Sequence, residues 1–210
     1  MATIKSALEL ALERTKNLTI DEASVRASEA RTEGKKAAGK FLEDSESIKL
    51  AAAIAARSAE SREAFRKGLF DVLVAQIQLP SGESAPGKMD LVGKGLGAVA
   101  EAASQPAGAK AAAVKHVAEL VRQVEMFMTR YIDDMKQVDQ AIRTQWAPKL
   151  REKERQASAR MGREVRLDPM ADPEFAAFYK QNVDTARSGY IQALEGARTD
   201  LATLCGFAQE

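Results

Sequence analysis

Nine apolar side chains recur at alternating steps of three and four residues through the middle of this chain, with no proline or glycine between them. Steps of this size place side chains on one face of an α-helix, as in the a and d positions of a coiled coil. Such a face has to be covered, so the pattern predicts a long helix paired with a second helix. The nine positions are Val114, Val117, Val121, Val124, Met128, Tyr131, Met135, Val138 and Ile142.

A second apolar stripe follows nearer the end of the chain, with a mean step of about 3.6 residues. Asp172-Pro173-Glu174 is a typical helix start, with a capping acid, a proline at the first helical position and an acid in the first turn. Gly206 is a typical terminator. We expect this helix to pair with a first arm that runs from about 109 to 146 and is stopped by Pro148. The stripe consists of Phe175, Tyr179, Val183, Ala186, Tyr190, Leu194, Ala197, Leu201 and Leu204.

The width of the apolar face changes along the first arm. Leu120 and Phe127 widen it, whereas Asp134 and Asp139 narrow it further on. A wide face belongs in a multi-helix bundle, and a narrow face with acidic edges belongs in a two-helix pair. We therefore expect a bundle near residues 110–130 and a projecting hairpin beyond it.

Composition favours closely packed helices, because aromatic residues make up only 5% of the chain and charged residues 29%. The predicted fold is all-α, a helical bundle with a long antiparallel, coiled-coil-like hairpin in the C-terminal half. Three regions are expected to pack as one domain. They are an N-terminal helical region over 1–80, a Gly/Pro-rich linker over 81–108, and the hairpin over 109–210.

The N-terminal region divides into several predicted helices. The first covers 3–16. A capping box from Thr19 to Glu22 opens the second, whose helical pattern is weakened in its second half by Gly34 and Gly39. Residues 17–40 are therefore read as a peripheral or partly mobile helix. A third helix spans 46–79 with a break near Ser58–Ser61. The linker holds a short helix over about 90–104.

Charge and targeting signals exclude several classes of protein. The formal net charge is +1, which gives no general attraction to nucleic acid or anionic membrane. No run approaches the roughly 18 apolar residues of a membrane-spanning helix. With one cysteine and no signal-peptide pattern, we expect a cytoplasmic protein without a transmembrane segment.

The candidate chemical sites are all weak, so we predict no catalytic residue, metal site or cofactor. The segment from Gly82 to Lys88 approaches a phosphate-binding loop, but Met89 replaces the required hydroxyl. The Gly-rich run 93–97 is an equally poor nucleotide loop. His116 is the only histidine and falls on the outer side of its helix, and Cys205 has no neighbouring base.

The segment 149–166 is the best candidate for an interaction surface. It carries seven basic and three acidic side chains, whereas residues 167–210 carry three basic and seven acidic ones, so the two can neutralise each other within the chain or across a dimer. Met126 and Trp146 lie outside the seam, which is the row of nine apolar positions from Val114 to Ile142. If these two side chains are exposed, they would mark an interface. The predicted partner surface consists of Trp146, Lys149, Arg151, Lys153, Arg155, Arg160, Arg163 and Arg166.

One resemblance accompanies these patterns. The opening residues 4–15, IKSALELALERT, together with Ile77-Gln78-Leu79-Pro80, resemble an uncharacterised family of bacterial helical proteins. The resemblance implies a bacterial, cytoplasmic protein and brings no catalytic residue with it.

These features together predict a non-enzymatic scaffold or adaptor that binds a protein partner or self-associates. Two alternatives stay open. One is a protein whose amphipathic helices bind a lipid surface or an apolar ligand, and the other is a nucleotide-binding protein that uses the Gly82–Lys88 loop.

Overall fold

The computed structural model describes residues 22–81 and 87–207, which form six α-helices, one short 3-10 helix and no β-strand. The predicted all-α class is therefore confirmed. The predicted 3–16 helix, most of the capping box and residues 82–86 lie outside the described residues. The helices are α1 (Glu22–Glu43), α2 (Leu50–Ala55), α3 (Ala59–Ala75), α4 (Lys88–Glu101), α5 (Ala107–Met161) and α6 (Pro173–Leu204), with the 3-10 helix at Pro169–Ala171.

The chain divides into two compact units, residues 1–72 and 73–210, with the division inside α3. The predicted regions placed their first boundary at 80, after the end of this helix. The expectation that all three regions pack as one domain stays a prediction.

In the first unit, the helices α1 and α3 touch through their backbones. A Cβ atom added to Gly34 would lie 2.2 Å from the carbonyl oxygen of Phe65, and one added to Gly68 would lie 2.1 Å from that of Arg31. Only glycine fits at these two positions. The doubt about the helix beyond Gly34 was therefore wrong, because Gly34 is a packing residue and α1 continues to Glu43.

The predicted break in the 46–79 segment is present. The helix α2 ends at Ala55 and α3 begins at Ala59, so the break falls at residues 56–58. Ser58 starts α3, since its carbonyl oxygen accepts a hydrogen bond of 2.9 Å from the backbone N–H of Arg62. The observed helices are shorter than the prediction at both ends of the segment.

In the second unit, α4 packs against the beginning of α5. A Cβ atom on Gly93 would lie 3.4 Å from a methyl group of Val121, and one on Gly97 would lie 3.8 Å from a methyl group of Val114. The short helix predicted within the Gly/Pro-rich linker is thus α4, and it packs on the part of α5 around Val114 and Val121. The Gly-rich run 93–97, which matches a nucleotide loop poorly in sequence, lies inside this helix.

The helices α5 and α6 form the predicted antiparallel pair. Tyr131 contacts Tyr190 with ring centroids 5.0 Å apart, and Trp146 contacts Phe175 with centroids 5.7 Å apart. Residue numbers therefore increase along α5 in the direction in which they decrease along α6, so the two helices are antiparallel. Most of the seam is buried in this contact and in the contact with α4. The buried residues of α5 are Ala113, Val117, Val121, Val124, Met128, Tyr131 and Ile142.

Two acids on the edge of the seam bind tyrosines of α6. The hydroxyl of Tyr179 donates a 2.9 Å hydrogen bond to Asp139, and the hydroxyl of Tyr190 donates one to Asp134. The hydrogen bond from Arg143 lowers the pKa of Asp139. The bond to Asp134 raises the pKa of Tyr190, and burial raises the pKa of Tyr179. The acids that narrow the apolar face therefore join α5 to α6.

The helix α5 continues through Pro148 to Met161, so the predicted stop at Pro148 was wrong. A proline inside a helix leaves the carbonyl four residues earlier without its backbone donor, here that of Thr144. Both Thr144 and Pro148 are exposed, so water can satisfy this carbonyl. The helix reaches 55 residues, or roughly 82 Å at 1.5 Å per residue.

The predicted ends of α6 are both confirmed. The side chain of Asp172 accepts a 3.0 Å hydrogen bond from the backbone N–H of Glu174 and caps the helix, and Pro173 is its first residue. At the other end Gly206 has a φ of 78°. The N–H of Phe207 bonds to the carbonyl of Ala202, which completes a Schellman motif.

Candidate interaction surface

Two lysines of α5 form ion pairs with the acids at the start of α6. The ammonium group of Lys153 lies 2.5 Å from Asp172 and 2.8 Å from Glu174, and that of Lys149 lies 3.0 Å from Glu174. Part of the predicted neutralisation between 149–166 and the following acidic segment therefore occurs within the chain. These two lysines of the predicted partner surface are used in holding the hairpin together.

These contacts shift the ionisation of the groups involved. The hydrogen bond from Lys153 lowers the pKa of Asp172 and also that of Glu174, which Lys149 lowers further. The two carboxylates in turn raise the pKa of Lys153. The charged forms of all three groups are thus favoured by the folded hairpin.

We expect the hairpin to lose stability in acid. Carboxyl groups with a lowered pKa in the folded state contribute stability above their unfolded values, near 4, and this contribution disappears as the pH falls through the folded pKa. Urea denaturation should therefore give a constant midpoint near neutrality and a falling midpoint below about pH 4. In Lys153→Met, which removes the shared partner of Asp172 and Glu174, the fall should be shallower. Identical profiles for the two proteins would contradict this assignment.

Trp146 lies between the helices and does not form a free apolar patch. Its ring stacks on Phe178 with centroids 5.3 Å apart and contacts Phe175, while the ammonium of Lys149 sits 4.4 Å from the ring centroid. The indole N–H is buried and has no hydrogen-bond partner among the described residues. Met126, the other apolar residue singled out in the sequence, has 65% of its surface exposed.

Beyond this aromatic cluster, α5 extends past the start of α6. Lys153 is level with the first residues of α6, and α5 continues for eight residues, about 12 Å, to Met161. Gly162, with a φ of 64°, then reverses the chain. The extension therefore has no α6 residue beside it.

The residues after Gly162 run back along the extension of α5. The N–H of Val165 donates to the hydroxyl of Ser158 at 2.9 Å, and the N–H of Leu167 donates to the carboxylate of Glu154 at 3.0 Å. Val165 and Leu167 are half-buried, while Arg166 between them is exposed. This alternation is that of an extended segment with one face on the helix.

The arginines of the extension face solvent. Arg151, Arg160 and Arg163 have no acidic partner among the described residues, whereas Arg155 pairs with Glu152 and Arg166 lies 3.4 Å from Glu164. Met161 is 62% exposed. We call the hairpin-end surface the set of exposed residues Arg151, Arg155, Arg160, Met161, Arg163 and Arg166.

The structure thus separates the predicted surface residues into two groups. Trp146, Lys149 and Lys153 take part in the hairpin's internal contacts, and the five arginines remain exposed. The sequence reasoning missed Met161 and the role of Ser158 and Glu154. Met161 lies at the end of a helical stripe that begins at Trp146, and this spacing could have indicated it.

The remaining candidates carry no recognisable chemistry. His116 is exposed, as expected, and Cys205 is a fully buried thiol at the end of α6 that donates to the carbonyl of Leu96 at 3.8 Å. In the described ranges 22–81 and 87–207, His, Cys, Asp and Glu side chains form no group able to hold a metal ion. None of the described helices is both long and apolar enough to cross a membrane.

Among comparisons with known proteins, only a family model matches this chain. No curated protein and no solved structure gives a significant match. A family model, described as a family of unknown function (DUF6657), matches residues 51–203, from α2 to the last turn of α6. Ile77–Pro80 of the resemblance lies inside the matched range and the opening 4–15 lies outside it, and a bacterial source stays a prediction. Since the match covers most of the chain, the protein belongs to the DUF6657 family of unknown function.

Proposed function

We propose that the protein is a non-enzymatic scaffold or adaptor and that the hairpin-end surface binds an acidic segment of a protein partner. The observation that carries the proposal is the group of exposed arginines near the exposed Met161, three of which have no acidic partner in the part of the chain that the structure describes. Arginine and methionine are enriched in protein interfaces, where a flexible apolar side chain and planar donors suit many partners.

The surface is well placed for docking. The aromatic cluster of Trp146, Phe175 and Phe178 and the ion pairs of Lys149 and Lys153 fix the base of the extension. The bonds from Val165 and Leu167 hold the returning segment along it. A surface ordered before binding loses less conformational entropy when a partner docks.

The charge of the surface favours an acidic partner over a second hairpin end. Two copies meeting at this surface would bring arginines against arginines, and such like-charge contacts are unfavourable. An acidic segment would pair with Arg151, Arg160 and Arg163, while an apolar side chain of the partner covers Met161.

Photocrosslinking in the native cell tests the proposal. A benzophenone amino acid is placed at Met161 in one protein and at Met126, equally exposed on the same helix, in the control. We expect a defined adduct only from position 161, identified by mass spectrometry as a partner with an acidic contact peptide. Arg160→Glu with Arg163→Glu should weaken binding of that partner at least about tenfold.

Three results would count against the proposal. They are equal adduct formation from both positions, an adduct that persists after the charge reversal, and an adduct that consists of two copies of this chain joined at the hairpin end.

A further inference from the structure

The residues after α3 lie along one side of the α5–α6 pair. The guanidinium of Arg198, on α6, donates through Nε and Nη2 to the carbonyl of Ile77, with Nε at 3.1 Å. Ile77 is fully buried. These contacts bring Pro80 and Ser81 to the side of α5 near Tyr131, still within the second unit.

A cleft opens between Pro80, Ser81 and the two helices. Its volume is about 560 Å³, within the usual range of small-molecule sites. Tyr131, Ile132 and Met135 supply its apolar wall. Tyr131 is buried, and the other two are half-buried.

The cleft is also lined by charged side chains. Arg187, from α6, is exposed and has no acidic partner among the described residues. Lys136 also lines the cleft and lies 3.2 Å from Asp133, which is not one of the lining residues. Asp139 also lines the cleft, but its carboxylate already accepts hydrogen bonds from Arg143 and Tyr179. The cleft thus combines an apolar wall with a guanidinium that has no acidic partner among the described residues.

We propose that this cleft is a binding site for a small organic anion, with the anionic group on Arg187 and an apolar body against Ile132 and Met135. A guanidinium binds a carboxylate or sulfonate through paired hydrogen bonds, and the apolar wall removes the body of the ligand from water. The site is independent of the hairpin-end surface, since the two share no residue.

Two probes that differ in charge test the site. Anilinonaphthalene sulfonate carries a sulfonate on an apolar aromatic body, and N-phenylnaphthylamine has a closely similar body without the charge. Titration followed by probe fluorescence should show that Arg187→Gln weakens binding of the sulfonate about tenfold and leaves the neutral probe unchanged. Ile132→Gln should weaken both probes.

Lys115→Gln is the control, because Lys115 is another exposed cation of α5 without a described acidic partner and lies outside both the cleft and the hairpin-end surface. It should bind both probes as the parent protein does, and circular dichroism should show all variants folded. The proposal is overturned if Arg187→Gln binds the sulfonate as tightly as the parent, or if Lys115→Gln loses the same affinity.

Discussion

Alanine at Gly34 is expected to destabilise the first unit by about 2–4 kcal/mol, whereas alanine at Gly39 should stabilise it by about 0.5–1 kcal/mol. The new methyl group at position 34 would overlap the carbonyl oxygen of Phe65 and approach the backbone N of Leu69 at 3.1 Å. Backbone atoms cannot rotate away, so the two helices must separate. At Gly39 no atom lies within 4 Å of the added methyl group, and only the better helix propensity of alanine remains.

Urea denaturation followed by far-ultraviolet circular dichroism measures both effects. Gly68→Ala should cost about as much as Gly34→Ala, because it meets the carbonyl of Arg31 at the same crossing. The double variant should lose less than the sum of the two single losses, since helices already separated by one methyl group have room for the other. Additive losses, or a neutral Gly34→Ala, would mean that the crossing is not as tight as its geometry indicates.

The second large effect is expected at Phe175, where alanine should cost about 3–4 kcal/mol. Phe175 is fully buried in the first turn of α6 and contacts both Trp146 and Tyr179. Removal of its side chain leaves a cavity between α5 and α6 at the end of the hairpin where α6 begins. Phe178 also stacks on Trp146 but is half-buried, so Phe178→Ala should cost about 1–2 kcal/mol.

Hydrogen exchange of the amides of α6 is the appropriate measurement, because it reports opening of this end of the hairpin separately from the rest. Phe175→Ala should accelerate exchange over the first turns of α6 and leave α4 protected. If exchange at α6 is unchanged, or if Phe178→Ala has the larger effect, the aromatic cluster does not hold the hairpin end as described.

The pairing of α5 with α6 could be predicted because its signals lie within each helix. The positions from Val117 to Ile142 show their period directly, and Asp172 and Gly206 mark ends through local backbone chemistry. The acids Asp134 and Asp139 also indicated where the apolar face narrows. These features need no knowledge of the rest of the molecule.

Other features depend on residues that are distant in the sequence. In the sequence, Gly34 indicates a helix breaker, and only the structure shows that it makes room for the backbone of Phe65. Pro148 likewise indicates a helix end, and only the structure shows that the carbonyl it frees, that of Thr144, lies at an exposed position. The same holds for the candidate surface, where Lys149 and Lys153 could be separated from the free arginines only once Asp172 and Glu174 were placed beside them.

The aromatic residues of the α5–α6 pair give the second unit its own absorbance and fluorescence signal. The only tryptophan, Trp146, and all three tyrosines of the chain, Tyr131, Tyr179 and Tyr190, lie within residues 73–210. Near-ultraviolet absorbance and intrinsic emission therefore follow the second unit, while residues 1–72 contribute only through phenylalanine. Unfolding of the two units can be separated without any attached label, and emission from Trp146 should change when its contacts with Phe175 and Phe178 open.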